Sequence, residues 1–331
     1  MKIAFVIGAP VVYAGHGVVS QMKTWKRGLE DLGHQVFLVS PWEVYDWKSF
    51  DAVHFFMYSE YVGDFIEAVY PENNKIIFSP VLDPDYSLIA MKAISHWGYS
   101  RLKLSNRYYR MRRIAEKFSF VTVRSDFEAK YVEQGWNVPK SKIVKIPLSF
   151  NFSETNNSKR EKYCFHASYL ADDRKNVKRL ILAAKKYKIP LTLAGKLRNP
   201  AEYDKVMKWI DGAENIKYLG FLSQEELLDN YRRAKVFALP STNEGVGIVA
   251  LDAAAMGCDV VITNIGGPRE YYNSLATEVD PYDIDAIGQA IQKNLTDFTN
   301  QPKLQNYICE NFSLETVVKK LVASYESVNR A

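Results

Sequence analysis

The chain is expected to fold as two doubly wound α/β halves, and three observations lead there. Short β-branched or aromatic runs alternate with stretches of helical periodicity along nearly the whole sequence, the pattern of βαβ units and parallel sheets. A polar, aperiodic segment at 151–162 interrupts that alternation midway and reads as a linker by composition. A length of 331 residues exceeds one ordinary domain and fits two.

In the first half, 1–150, strands are predicted at Lys2–Gly8, Gln35–Ser40, Asp51–Met57, Lys75–Pro80, Phe120–Arg124 and Lys142–Pro147. Val18–Gly33 is a helix whose closing glycine supplies a natural stop. In the second half, 163–312, strands are predicted at Tyr163–Ala167, Leu191–Ala194, Ile216–Leu219, Val236–Leu239, Val260–Thr263 and Thr277–Val279. Helices fit between them, among them Gln224–Ala234 and Asp252–Met256. A last helix at 313–331 follows Ser313, a residue suited to capping it.

Composition narrows the class. Hydrophobic residues make up 47% and charged residues 24%, the mix of a soluble protein with a full core. No apolar run approaches the roughly 18 residues of a membrane span. Met1–Pro10 reads as a first strand rather than a secretory signal. Cys164, Cys258 and Cys309 are odd in number and far apart, so neither a disulfide framework nor a zinc knuckle is expected, and a reducing cytoplasm is.

The net charge of +5 is clustered once. Arg101, Lys103, Arg107, Arg110, Arg112, Arg113 and Lys117 stand against Glu116 alone between Trp97 and Phe118, with tyrosines interleaved. As a helix, 97–118 could meet an anionic membrane from the cytoplasmic side, hold a phosphorylated or lipid-linked acceptor, or be a solvated helix with half-buried tyrosines. Nucleic acid is not an expected partner, because the bias is local and no recognition module accompanies it.

Ligands in doubly wound sheets bind beyond the carboxyl ends of strands. The most informative such loop is Leu239-Pro240-Ser241-Thr242-Asn243-Glu244-Gly245-Val246-Gly247-Ile248-Val249-Ala250-Leu251-Asp252. Its glycines let backbone amides approach a phosphate, and the following helix start favours an anion. Glu244 and Asp252 suit hydroxyl-rich ligands, since carboxylate oxygens accept from O–H groups. The bland alternative is a strand-to-helix turn.

This segment resembles the acid-x7-acid motif of the retaining GT-B glycosyltransferases (family 4-like, glycosyl transferases group 1). The usual form is Pro-Ser-x-x-Glu-Gly-Phe-Gly with a second Glu eight residues after the first; here Val246 replaces the Phe and Asp252 the second Glu. Leu193-Ala194-Gly195, Tyr218 to Leu222, Thr263 to Glu270 and Asp280-Pro281-Tyr282-Asp283 follow in the family's order, so the resemblance spans about 163–330. It implies two Rossmann-like domains facing a central cleft, with the C-terminal helix packing back on the first domain. It further implies that Glu244 touches donor-sugar hydroxyls, Asp252 holds ribose hydroxyls, the amides of Gly245, Val246, Gly247 and Ile248 meet phosphate and sugar, and Gly220, Phe221 and Leu222 lie by the nucleobase.

Ser168 to Val177 resembles the family's Gly-Arg…Lys-Gly/Asn stretch: Lys175 matches, whereas Tyr169 stands where the Arg belongs. Lys175, with Arg174 as compensation, is expected to neutralise the departing diphosphate; a solvated charged cluster at a helix start is the alternative. Gly15 and Gly17 resemble the family's N-terminal glycine loop, although Ser20 breaks the dinucleotide fingerprint. The His that many relatives carry after the fourth strand is absent, which leaves Asp83 and His16, and less so His54, as acceptor-side candidates. Asp83-Pro84-Asp85 and Asp283-Ile284-Asp285 spell a metal-holding pattern too short to carry weight, so no metal and no cofactor are expected.

The expectation is a metal-independent transferase moving a sugar, with retention, from a nucleotide-diphosphate donor to a glycan, lipid-linked or protein acceptor. A catalytically silent GT-B partner subunit and a nucleotide-sugar epimerase are the alternatives.

Overall fold

The structure, a computed structural model, describes all residues except 8–16, 41, 85, 99–101, 103, 155–159, 297 and 331, and the side chain of 60. The chain divides into two compact units, Met1–Leu148 with Leu314–Ala331, and Ser149–Ser313.

The first unit runs β1 (Lys2–Ile7), α1 (Gly17–Asp31), β2 (Gln35–Leu38), β3 (Ala52–Phe56), α2 (Glu60–Val69), β4 (Ile76–Ser79), α3 (Leu88–His96), α4 (Arg107–Arg113), β5 (Phe120–Val123), α5 (Asp126–Trp136) and β6 (Ile143–Lys145). Its strands form one parallel sheet, β2-β1-β3-β4-β5-β6. Every residue of β3, β4 and β5 is buried, as expected of parallel strands covered on both faces.

The second unit continues with β7 (Glu161–Ala167), α6 (Val177–Lys186), β8 (Leu191–Ala194), α7 (Pro200–Ile210), β9 (Ile216–Tyr218), α8 (Gln224–Arg233), β10 (Ala234–Leu239), α9 (Ile248–Ala255), β11 (Asp259–Thr263), β12 (Thr277–Val279), α10 (Ile284–Thr296) and α11 (Lys303–Phe312). Its sheet is again parallel throughout, β12-β11-β10-β7-β8-β9. Local chemistry sets several helix starts: Asn199 caps α7 with Pro200 behind it, and Ser223 and Glu226 form a capping box on α8.

The last helix, α12 (Leu314–Arg330), belongs to the first unit. It is tied to that unit's sheet through Tyr325, whose hydroxyl lies 2.6 Å from Nδ1 of His54 on β3. The other ring nitrogen of His54 meets Ser79 at 2.7 Å, and the ring stacks on Phe56. Burial pushes His54 well below the usual histidine range. His54 is therefore a satisfied core histidine and not an acceptor-side group.

All twelve predicted strands are present, with boundaries shifted by a residue or two. Two differences change the reading of a segment. Glu161 and Lys162, read by composition as linker, open β7, where Glu161 pairs with Ala234 of β10; residues 155–159 of that segment lie outside the described ones. The helix predicted from Asp252 starts at Ile248, because Gly247 in the left-handed region (φ 75°) turns the chain there. No polar cap marks this start, so periodicity alone placed it late.

The basic stretch 97–118 is not one helix. Among its described residues only Arg107–Arg113 is helical at any length, capped by Asn106, whose side chain accepts from the amides of Tyr108 and Tyr109. Several charges of the stretch pair within the unit: Arg110 with Asp64 and with Glu67 at 2.5 Å, Arg107 on Tyr58 and Tyr108, and Lys117 over Tyr70. Arg101 and Lys103 lie outside the described residues. Among the described residues no helix is long and apolar enough to cross a membrane.

Candidate active site

In the second sheet the strand order reverses between β7 and β10: the chain moves outward through β8 and β9, then returns to lay β10 on the opposite side of β7. The loops leaving the carboxyl ends of β7 and β10 flank that point, where ligands bind in open α/β sheets. The first holds Ser168–Asn176 and the second Pro240–Gly247.

Backbone and amide bonds stitch the two loops together. A single 3-10 turn, Asp173–Lys175, is capped by Asp172 and closed by Asn176 in the left-handed region (φ 58°). The buried Asn176 side chain donates to the carbonyls of Pro240 at 2.9 Å and Pro281 at 2.6 Å, and the Thr242 amide donates to the Arg174 carbonyl at 2.8 Å. This scaffold brings Lys175 Nζ to 2.5 Å from Glu244 Oε2, with the two side chains only 22% and 14% exposed. Two predicted catalytic residues, 69 positions apart, are thus in direct contact.

Beyond Glu244, α9 opens with no side-chain cap and no acid in its first turn. The amides of a first turn have no intrahelical acceptor and carry the positive end of the helix dipole, a surface suited to an anion. Gly247 is required here: besides its positive φ, a Cβ would meet Leu239 at 2.8 Å. Gly245, Gly247 and Ile248 belong to this turn, and the Val246 side chain is buried and leaves only its backbone toward it.

A cavity of about 260 Å³ adjoins this turn, lined by Ser168, Tyr169, Gly195, Lys196, Phe221, Leu222 and Val249 among others. The approach of the β8 loop to Ser168 admits only glycine, since a Cβ on Gly195 would lie 1.8 Å from the Ser168 carbonyl oxygen. Phe221 is 76% exposed at this cavity, and Gly220 precedes it with φ 76°.

Not every predicted residue is free for a ligand. Arg174 is folded onto Asp172, with its Nη2 2.8 Å from one carboxylate oxygen and its Nε 3.1 Å from the other, so its charge is spent beside the turn rather than with Lys175. Tyr169, in the place of the expected arginine, donates its hydroxyl to Glu202, and the guanidinium of Arg198 stacks on its ring at 4.2 Å. A cation thus arrives beside position 169 from the loop after β8.

Asp252, expected to hold ribose, is 3% exposed and accepts from the Asn151 amide (2.6 Å), the Asn151 side chain (3.1 Å) and the Phe152 amide (3.4 Å). Burial raises its pKa to about 6 against the pull of those donors. In this structure its carboxylate anchors the start of the second unit, and both oxygens are occupied.

In the first unit, Gly15 and His16 lie outside the described residues, and Gly17 opens α1. Asp83 pairs at 2.7 Å with the buried Arg124, which also binds Glu128 at 2.9 Å. Asp283 caps α10 through the amides of Asp285 and Ala286, and Asp285 pairs with Lys186, while Asp85 lies outside the described residues. Sequence reasoning missed Asn176, Arg198, and the pairing of His166 with Ser168. The Lys-Asn dipeptide at 175–176 was a signal for the first; nothing local marks the other two.

The family profile described as Glycosyl transferases group 1 matches residues 149–311. The O-antigen chain mannosyltransferase B of Escherichia coli is 28% identical over 194 residues, 52% of this chain and 50% of that protein. The chain therefore spans about half the length of that curated relative. Among solved structures, a glycosyltransferase from Rickettsia africae superposes with a TM-score of 0.75 at 16% identity, covering 99% of this chain and 98% of that one. The Anabaena protein HepE in complex with UDP and glucose gives a TM-score of 0.72 at 15% identity, covering 99% and 100%. Residues 149–311 thus match the glycosyl transferases group 1 family, and the fold is GT-B.

Proposed function

We propose that this chain transfers a sugar from a nucleotide-diphosphate donor to an acceptor hydroxyl, with retention of anomeric configuration and without a metal, in the building of a glycan. The observation that carries this reading is the contact of Lys175 with Glu244 at the switch point, in front of the uncapped start of α9. The E. coli relative, named as an O-antigen mannosyltransferase, and HepE, solved with UDP and glucose, lend it support.

The donor diphosphate lies at the first turn of α9 and draws Lys175 toward it; Glu244, released from part of its ion pair, accepts from hydroxyls of the donor sugar. The acceptor oxygen bonds to the anomeric carbon from the face the diphosphate leaves. The bond from that carbon to the β-phosphate oxygen breaks, and the acceptor's proton passes to the departing phosphate. Lys175 and the helix amides stabilise the charge that develops, and Arg198 supplies the second cation beside Tyr169.

A screen of nucleotide-diphosphate sugars by thermal shift identifies the donor, because a ligand of the folded form raises apparent stability. Release of nucleoside diphosphate with and without acceptor, in the presence of a chelator, then tests transfer and metal independence together. Turnover that survives Lys175→Ala would sink the leaving-group assignment. A non-catalytic partner subunit is the second reading, favoured by Tyr169 and by the occupied Asp252; donor binding with no turnover on any acceptor would establish it.

A further inference from the structure

Inside the second unit, His166 on β7 is fully buried and holds two partners: the Ala238 carbonyl at 2.7 Å from Nδ1 and the Ser168 hydroxyl at 2.7 Å from Nε2. A carbonyl oxygen accepts and never donates, so Nδ1 carries the ring proton. Burial pushes the ring down to about 4, which keeps it neutral near pH 7. A neutral ring with hydrogen on Nδ1 has a bare Nε2, and the Ser168 hydroxyl must therefore donate to it. The only hydrogen of that hydroxyl is consumed, and its remaining lone-pair capacity is acceptor alone.

Ser168 lines the cavity, and its backbone is locked by the bond from its amide to the Ala194 carbonyl (3.1 Å) and by the approach of Gly195. Much of the surrounding wall is apolar: Ala167, Ala194, Phe221, Leu222, Leu227 and Val249. Tyr169 has turned its hydroxyl to Glu202, and Asp252 has spent its oxygens on Asn151 and Phe152. We propose that the Ala238–His166–Ser168 relay makes this wall a fixed hydrogen-bond acceptor, which selects the nucleoside part of the ligand by a hydrogen it presents, from a ribose hydroxyl or a base N–H.

The proposal rests on the nucleotide-donor reading above and adds the polarity of the contact. It makes Ser168 a ligand-binding residue and His166 a positioning residue. Calorimetric titration of the full chain is the test, using the tightest-binding of UDP, GDP and ADP, its 2′-deoxy and 3′-deoxy forms, and the form methylated at the base N–H. The wild type is expected to bind the parent more tightly than one of the altered ligands. Ser168→Ala is expected to lower parent affinity roughly five- to tenfold and to abolish the preference over that same ligand. Ser168→Thr, which keeps a hydroxyl, restores the preference, and melting curves confirm that each variant is folded. A deoxy ligand singled out identifies the ribose as the source; the methylated one identifies the base. A preference that persists in Ser168→Ala, or a wild type indifferent to all the alterations, overturns the relay while leaving the donor reading intact. A wild type that binds no nucleoside diphosphate overturns both.

Discussion

The two sheets are built alike, and the polar side chains described around them are placed differently. In the first unit the order reverses between β1 and β3, and in the second between β10 and β7. On the loops around the second reversal, polar side chains are paired with one another: Lys175 against Glu244, Ser168 against His166, Arg198 over Tyr169. In the first unit three groups are paired within the fold itself, Arg124 with Glu128 and Asp83, His54 with Ser79 and Tyr325, Arg110 with Asp64 and Glu67. Equal architecture thus does not mean equal chemistry. What sets the second unit's pairs apart is their place, on the loops leaving the carboxyl ends of β7, β8 and β10.

The largest effect expected from this contrast is structural. Arg124 is 8% exposed and Glu128 2%, so Arg124→Ala strands a buried carboxylate and should cost about 3–5 kcal/mol of stability. Chemical denaturation reads that loss, while affinity for nucleoside diphosphates, measured below the melting transition, stays unchanged. A matching loss of affinity would show that the first unit's ion cluster also serves the ligand, and the contrast would collapse.

Lys175→Ala should do the opposite. Turnover falls on the order of 100-fold or more, about 3 kcal/mol of transition-state stabilisation, with little change in melting temperature. A variant that melts early yet turns over normally would turn this ion pair into a structural one.

Asp252 provides a pH test inside the second unit. Its pKa of about 6 lies above the ordinary 3.8, so on acidification the folded state takes up a proton before the unfolded state does. Stability from this group is therefore gained as pH falls from about 7 toward 4, and above pH 6 the buried charge carries a desolvation cost. Relative to Asp252→Asn, the wild type should gain roughly 2–3 kcal/mol across that window. Parallel stability–pH curves for the two proteins would show that the carboxylate is solvated after all.

The smallest expected effect is at Arg198. Its guanidinium is exposed and stacked on a tyrosine, so Arg198→Ala should weaken nucleoside diphosphate binding only about three- to tenfold, the worth of an exposed or partly desolvated cation contact. The loss should shrink as salt rises. A salt-independent loss would assign Arg198 to packing on Tyr169 instead.

The sequence by itself determined the alternation of strands and helices, because β-branched runs and helical periodicity are local properties that a parallel fold preserves. It also marked the turn around Glu244, since glycines and an acid between a strand and a helix are readable wherever the chain later goes. Tertiary structure alone decided where the side chains ended. Arg174 and Lys175 are neighbours in sequence, yet one folds onto Asp172 and the other crosses to Glu244, because the turn that carries them is oriented by Pro240, Thr242 and Pro281. Asp252 occupies a motif position but meets Asn151, 101 residues away, which no local pattern announces. The polarity of Ser168 depends on a carbonyl 70 residues further on. Hydrogen-bond direction and burial are properties of assembled neighbours, and those neighbours exist only once distant strands have paired.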